Sequence, residues 1–358
     1  MRTHAEKCLT VSRLTVMCVT AVLAAALVLP APTRAQEDRD PDIQEWVVPY
    51  EDSRPRDPMV APDGRVWFVG QAGAYVAVFD PETEDFTKYD TDGVRPHNLI
   101  VDPDGIVWYA GNTASHIGRL DPATGEITRF MMPDEAARDP HTLIFDSQGD
   151  VWFTVQGGNF IGKFWPETGE VRLVKALEVE GGRRGNSSRP YGIVIDSNDR
   201  PWVALFNTNH IATVDPETFE LETIELPWEN ALPRRIAITS DDVVWYGDWT
   251  RGTLGRIDPD THAVTEFPLP GGEGARPYAM LADDADRVWV VETGPEPNRF
   301  IGFDPMTEEV FSVTEVPSGG GTVRHMYFDA ETNAVWFGAD TNTIGMAKLP
   351  PRRRATSH

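Results

Sequence analysis

The chain has 358 residues, with 32 Lys and Arg against 56 Asp and Glu, a formal charge of −24. A chain this acidic repels phosphate backbones and anionic bilayers, which argues against nucleic acid or a membrane surface as its partner. Its two cysteines, Cys8 and Cys18, both fall in the first 35 residues. The rest of the chain therefore has no disulfide or thiol chemistry and must be held by strand pairing and burial.

Residues 1–35 read as a cleaved secretory signal peptide. Arg2, Lys7 and Arg13 precede an apolar run from Leu14 to Leu29, and Thr33-Arg34-Ala35 follows with small residues where a signal peptidase cuts. The run is shorter than the ~20 apolar residues of a membrane span. Its removal takes the charge to −27 and implies a periplasmic or secreted protein with no membrane attachment after cleavage.

From residue 36 to residue 350 the chain reads as a single domain. Trp67, Trp108, Trp152, Trp202, Trp245, Trp289 and Trp336 recur at spacings of 41, 44, 50, 43, 44 and 47 residues, each in a Val-Trp-Phe-like run. Around each lie short strand-forming runs closed by Asp-Gly, Asn-Asp, Asp-Pro or Thr-Gly, the pattern of four antiparallel strands joined by tight turns. Four strands in about 40–45 residues make one blade of a β-propeller, and seven copies make a seven-bladed ring. The tryptophans, the Asp-Gly turns and the Ile-Gly pairs such as Ile117-Gly118 belong to the scaffold, as wedge filling and close backbone approach.

The last copy stops at Leu349 without a fourth strand, whereas Ile43-Gln44-Glu45-Trp46-Val47-Val48 repeats the fourth-strand phrase at the start. The N-terminal strand is therefore expected to complete the seventh blade and hide two open sheet edges. The longest irregular insertion runs from Glu178 to Arg189, and residues 351–358 read as a disordered basic tail.

Function in such a ring concentrates where the innermost strands begin. Aligned on the tryptophans, those positions are Arg56, His97, His141, Tyr191, Arg234, Tyr278 and Arg324, with His325 as the alternative in the last blade. Scaffold positions would be apolar there; these are basic, aromatic or imidazole. Two residues earlier stand Arg54, Arg95, Asp139, Arg189, Leu232, Arg276 and Thr322, among which Asp139 is the single acid. The loops at the same end offer Gln71, Asn112, Gln156, Phe206, Asn207, Asp248, Trp249, Glu292 and Asn342, with Phe206 and Trp249 as an apolar wall. A concave mouth with convergent polar groups is the natural binding site.

The repeat phrase, together with Arg95-Pro96-His97 and Asp139-Pro140-His141, resembles the streptogramin B lyases, also called virginiamycin B lyases, from Ile43 to Leu349. The resemblance implies a magnesium-dependent carbon–oxygen lyase that opens a cyclic peptide lactone by elimination. It further implies His97 and His141 as catalytic residues, with His141 taking the proton and His97 orienting the substrate or protonating the leaving group. Asp139 would serve the Mg2+ site, and Arg56, Arg95, Tyr191, Arg234, Tyr278 and Arg324 would bind substrate. The family carries Glu where this chain has Asp139, one methylene shorter in its reach toward the ion.

No Gly-x-Ser-x-Gly elbow, His-Glu-x-x-His motif or phosphate loop is present. Two other readings stay open. One is a non-catalytic periplasmic propeller binding an anionic peptide or sugar. The other is a calcium-dependent sugar-lactone hydrolase, for which the mouth offers few carboxylates. A monomer is expected in each case.

Overall fold

The computed structural model describes residues 39–180 and 185–351. The signal segment, residues 181–184 of the long insertion and the basic tail beyond Pro351 lie outside the described residues.

Seven four-stranded antiparallel sheets form a seven-bladed β-propeller. The first strands of the blades, Pro55–Val60, Leu99–Val101, Pro140–Phe145, Pro190–Ile195, Pro233–Ile238, Pro277–Ala282 and Val323–Asp329, touch one another around the axis. In blades 1 to 6 the remaining three strands follow outward in chain order. The seventh is closed as the sequence predicts. Strand Asp42–Val47 pairs with Thr343–Lys348, Asp42 opposite Lys348 and Val47 opposite Thr343. Asn342 locks the seam, its Nδ2 donating to the carbonyls of Val48 and Tyr50 at 2.9 and 3.1 Å.

The core lies between blades, and the repeated phrase explains it. All seven recurring tryptophans are 4 % exposed or less. In blade 2, Asp102 accepts from the backbone N–H groups of Asp104 and Ile106 with one oxygen and from Trp108 Nε1, at 2.9 Å, with the other. One carboxylate thus closes the hairpin and satisfies the buried indole. Asp196 with Trp202 and Asp283 with Trp289 repeat the arrangement. Blade 3 departs from it: Asp146 meets Lys163 Nζ at 2.8 Å, and Trp152 Nε1 is buried without a hydrogen-bond partner. The Ile-Gly pairs make room for aromatic rings. Tyr109 lies opposite Gly118, where a Cβ would fall 2.1 Å from the ring.

One irregularity sets up the mouth. In six blades the pairing of the first strand with the second slips near its start, for example between Pro140 and Leu143, Pro233 and Ile236, and Val323 and Met326. A β-bulge removes residues from the ladder and re-aims their side chains. Here it frees two consecutive residues, such as His141-Thr142 and Arg234-Arg235, and both turn to the axis.

Candidate active site at the axial mouth

The predicted ring positions form a chain of contacts around one side of the axis. The His97 and His141 rings lie 3.5 Å apart, and His141 lies 4.1 Å from the ring of Tyr191. The hydroxyl of Tyr191 hydrogen-bonds that of Tyr278. Both imidazoles are nearly fully buried. Burial, reinforced by the guanidiniums of Arg56 and Arg235, holds both well below the ordinary 6.5, so both are neutral.

The hydrogen-bond partners assign the tautomers. His97 Nδ1 lies 3.1 Å from the carbonyl of His141, which only accepts, so His97 carries its proton on Nδ1 and leaves Nε2 with a lone pair. His141 Nδ1 lies 2.8 Å from Thr142 Oγ1, which already accepts from Arg235 Nη1 at 3.1 Å. A hydroxyl can accept from both, but among the described residues the only other hydrogen-bond partner of Thr142 Oγ1 is His141 Nδ1, so its own hydrogen is satisfied when it donates there and His141 presents Nε2–H.

Opposite the histidines the mouth is aromatic. The guanidinium carbon of Arg234 sits 3.4 Å from the ring centre of Tyr278, 4.2 Å from Trp249, 4.6 Å from Phe206 and 5.3 Å from Tyr191. The apolar wall expected of Phe206 and Trp249 is thus present, with an arginine stacked within it. Outside the wall, Phe206, Asn207, Leu232, Trp249, Thr250, Glu273 and Arg276 line a cleft of about 310 Å³.

The remaining predicted residues are spread around the rim. Arg56 is buried and donates to Gln71 Oε1 at 2.7 Å. Arg324 grips Asp340 with two nitrogens. Arg95 is exposed, its backbone N–H donating to Thr113 Oγ1, and lies apart from the stacked groups. Asp139 is bonded by Asn112 Nδ2, and burial pushes its carboxyl up to about 6 against the opposing effects of Asn112, Arg189 and Arg56. Arg54, Asp139, Arg189 and Arg276 all hold left-handed backbone, φ 49–69°, directly before the proline that opens an inner strand. Each such residue stores on the order of 1–2 kcal/mol of strain, held by the surrounding ring. Of the other loop residues, Asp248 accepts the backbone N–H groups of Thr250 and Arg251 in its own turn and of Leu232 in the loop before the inner strand, Glu292 binds Arg299, and Asn342 closes the ring. These three are structural.

A second tier of axial residues escaped the sequence reading, except for His325, which was the alternative to Arg324. Asp57, Asn98, Thr142, Arg235 and His325 each follow a ring residue and are freed by the same bulges, or in blade 2 by the late start of the strand. Asn98 Nδ2 donates to Asp57 Oδ2 at 3.0 Å, and Arg235 reaches Asp57 Oδ2 at 3.4 Å and Thr142 across the axis. The available signal was the polar pair in an otherwise apolar strand: Arg56-Asp57, His97-Asn98, His141-Thr142, Arg234-Arg235 and Arg324-His325 all break period-two alternation.

The donors fit the expected magnesium ion poorly. Mg2+ takes hard oxygen ligands in a near-octahedral array. Asp139 is one carboxylate, already bonded by Asn112 and faced by the guanidiniums of Arg189 and Arg56. Among the described residues no group of three or more His, Cys, Asp or Glu converges to hold a metal.

Fold and mouth define a seven-bladed propeller with a polar, imidazole-bearing axial pocket. The chain belongs to the virginiamycin B lyase family, whose model matches residues 41–347. The crystal structure of virginiamycin B lyase from Staphylococcus aureus superposes with a TM-score of 0.76 at 23 % identity, covering 87 % of this chain and all of that one. A catalytically inactive form of that lyase with quinupristin gives the same values. The extracellular domain of a putative one-component system from B. thetaiotaomicron is also similar, with a TM-score of 0.65 at 19 % identity, covering 88 % of this chain and 43 % of that one. Likenesses at these identities establish the fold alone. No curated protein matches the sequence.

Proposed function

We propose that this protein is a lyase that opens a lactone or related ester of a small molecule or cyclic peptide by elimination at the axial mouth. The observation that carries the reading is the pair of imidazoles with centroids 3.5 Å apart, both held neutral, whose hydrogen-bond partners assign them opposite tautomers. One side chain holds a lone pair and its neighbour a proton, which is what coupled removal and delivery of a proton requires. The tautomers favour roles opposite to those the family resemblance implies. His97 Nε2 takes the proton from the carbon beside the breaking C–O bond, and that electron pair forms the new double bond. The ester oxygen departs as a carboxylate, which His141 Nε2–H meets with a hydrogen bond. Arg56 Nη2, buried without a hydrogen-bond partner, would stabilise the developing oxyanion. The donors at Asp139 suit a magnesium ion poorly. We further read residues 1–35 as a signal peptide and the mature protein as periplasmic or secreted.

Mass spectrometry of candidate cyclic depsipeptides after incubation tests the reading, because elimination leaves the mass unchanged whereas hydrolysis adds a water. Turnover that survives both His97→Ala and His141→Ala would overturn it. A second reading, a non-catalytic propeller that captures an anionic peptide or sugar, is favoured by the excess of guanidinium groups at the mouth. Tight anion binding with no lactone consumed would select it.

A further inference from the structure

The charges at the axis do not balance. From the inner strands of blades 1, 5 and 7, Arg56, Arg234, Arg235 and Arg324 face the mouth, and Arg54 joins them from the rim. The carboxylates that answer them are Asp57, at 3.4 Å from Arg235 and 3.6 Å from Arg56, and Asp340, which binds Arg324 and lies 3.6 Å from Arg54. Neither reaches Arg234, whose neighbours are four aromatic rings and the Tyr191 hydroxyl at 3.3 Å, and whose Nε is buried without a partner. His97, His141 and His325 are neutral and supply no compensation. Arg276 adds a further cation 5.7 Å from Trp249, and Glu292, opposite Pro277 in the next strand, is taken up by Arg299. A guanidinium with a buried Nε and no carboxylate in reach is costly.

Asp139 is faced by Arg189 and Arg56, and Glu273 lines the outer cleft beside Arg276, so among the described residues the ionisable group packed on Arg234 itself is the phenol of Tyr278. Its ring lies under Arg234 at 3.4 Å and 5.7 Å from Arg324, and its hydroxyl is hydrogen-bonded to that of Tyr191, whose O–H can donate to a phenolate. We infer that Tyr278 is the resident counter-ion of the mouth, and that a carboxylate or similar oxyanion of an incoming ligand displaces that charge as Tyr278 takes up a proton. The mouth is then an oxyanion subsite with proton uptake built into binding. The electrostatic balance agrees: burial alone would raise the phenol, but Arg234, Arg56, Arg324 and Arg235 outweigh it and bring it down to about 7. The inference is independent of lactone chemistry, since it concerns charge at the mouth and not what is cleaved.

The test is the near-ultraviolet tyrosinate absorbance of the intact protein between pH 5 and 9. Tyr50, Tyr75, Tyr109, Tyr246 and Tyr327 are all pushed upward from 10.0, which leaves this window clear of them. One tyrosinate should form with a midpoint near neutrality, vanish in Tyr278→Phe, and titrate at higher pH in Arg234→Gln. Acetate, replacing a bulky sulfonate at constant ionic strength, should raise the wild-type midpoint by up to one pH unit per tenfold excess over its dissociation constant, and acetamide should not. The proposal is overturned if wild type forms no tyrosinate below pH 9, if the signal persists in Tyr278→Phe, or if acetate leaves the midpoint in place. The wild-type titration stands even if a variant fails to fold, and the absence of any lactone turnover leaves all these outcomes unchanged.

Discussion

Asp57 and Arg235 meet across the propeller axis, carboxylate to guanidinium at 3.4 Å, and so tie the first blade to the fifth. Both are buried, and Asn98, Thr142 and the carbonyl of Arg324 complete the network. Stranding one charge of a buried pair costs ~3–5 kcal/mol, but without Arg235 the Asp57 carboxylate keeps Arg56 at 3.6 Å and Asn98. Arg235→Met should therefore lower the unfolding free energy by less than that, about 1–3 kcal/mol, in urea denaturation, and adding Asp57→Asn should recover part of it. A loss below about 1 kcal/mol in the single variant would show that the axial network does not hold the blades together.

The N-terminal strand closes the ring through more than its ladder. Trp46 stacks on Trp336 with centroids 5.7 Å apart and lies 5.0 Å from Phe79 of the first blade. Glu45 accepts from Ser318 and Thr343, and Asp40 from Ser312. Deleting residues 36–50 should lower the melting temperature sharply by opening the edge of strand Thr343–Lys348. Trp46→Ala, partly exposed, should cost less than the ~3–5 kcal/mol of a fully buried tryptophan. Thermal melts of the two variants check this, and an unchanged melt for the deletion would sink the clasp.

Much of this was legible in the sequence because a propeller repeats its physics seven times. A tryptophan that fills a wedge and an aspartate that closes the turn before it leave a period no single blade could show. The first axial tier was legible for the same reason, since alignment on Trp108 and Trp152 places His97 and His141 in register. The second tier was not, because a bulge breaks the period-two rule by which one residue of each adjacent pair should face away from the axis. Arg234-Arg235 looked like one functional residue and one neighbour, yet Arg234 stacks on aromatics while Arg235 crosses to Asp57. The tautomers of His97 and His141 were equally hidden, because each depends on Thr142 or a backbone carbonyl that alignment does not bring together.

Acid should loosen the ring. Burial holds His97 and His141 well below 6.5, and burial together with Arg235 brings His325 down to about 4 despite the opposing Asp57. Each binds its proton more weakly folded than unfolded, so this stability is full above about 6.5 and is lost as pH falls toward 4. Tyr278 acts in the same sense at higher pH: lowered to about 7 from 10.0, it adds stability that is complete above 10 and lost as pH falls through 7. Asp139 opposes them, since its carboxyl is raised to about 6 and its contribution is full below 3.8 and lost as pH rises through 6. Three imidazoles outweigh one carboxyl, at up to about 1.4 kcal/mol per pH unit for each site. Urea midpoints should be lower at pH 5 than at pH 8, and the reverse order would show that the histidines are charged in the folded protein.

Magnesium should leave the protein where it is. A cation that binds only the folded state stabilises it by ~2.7 kcal/mol at a hundredfold excess over its dissociation constant, a clear shift in a thermal melt. Such binding needs oxygens, and the acid the resemblance assigns to the ion is bonded by Asn112 and faced by Arg189 and Arg56, which repel a divalent cation at the place where it would sit. Millimolar magnesium, calcium and EDTA should therefore give superimposable melts, and Asp139→Asn should behave as wild type toward all three. A rise of several degrees with magnesium that disappears in Asp139→Asn would restore the metal site. It would also mean that a bound ion turns this carboxylate away from Asn112 and outweighs the two guanidiniums beside it.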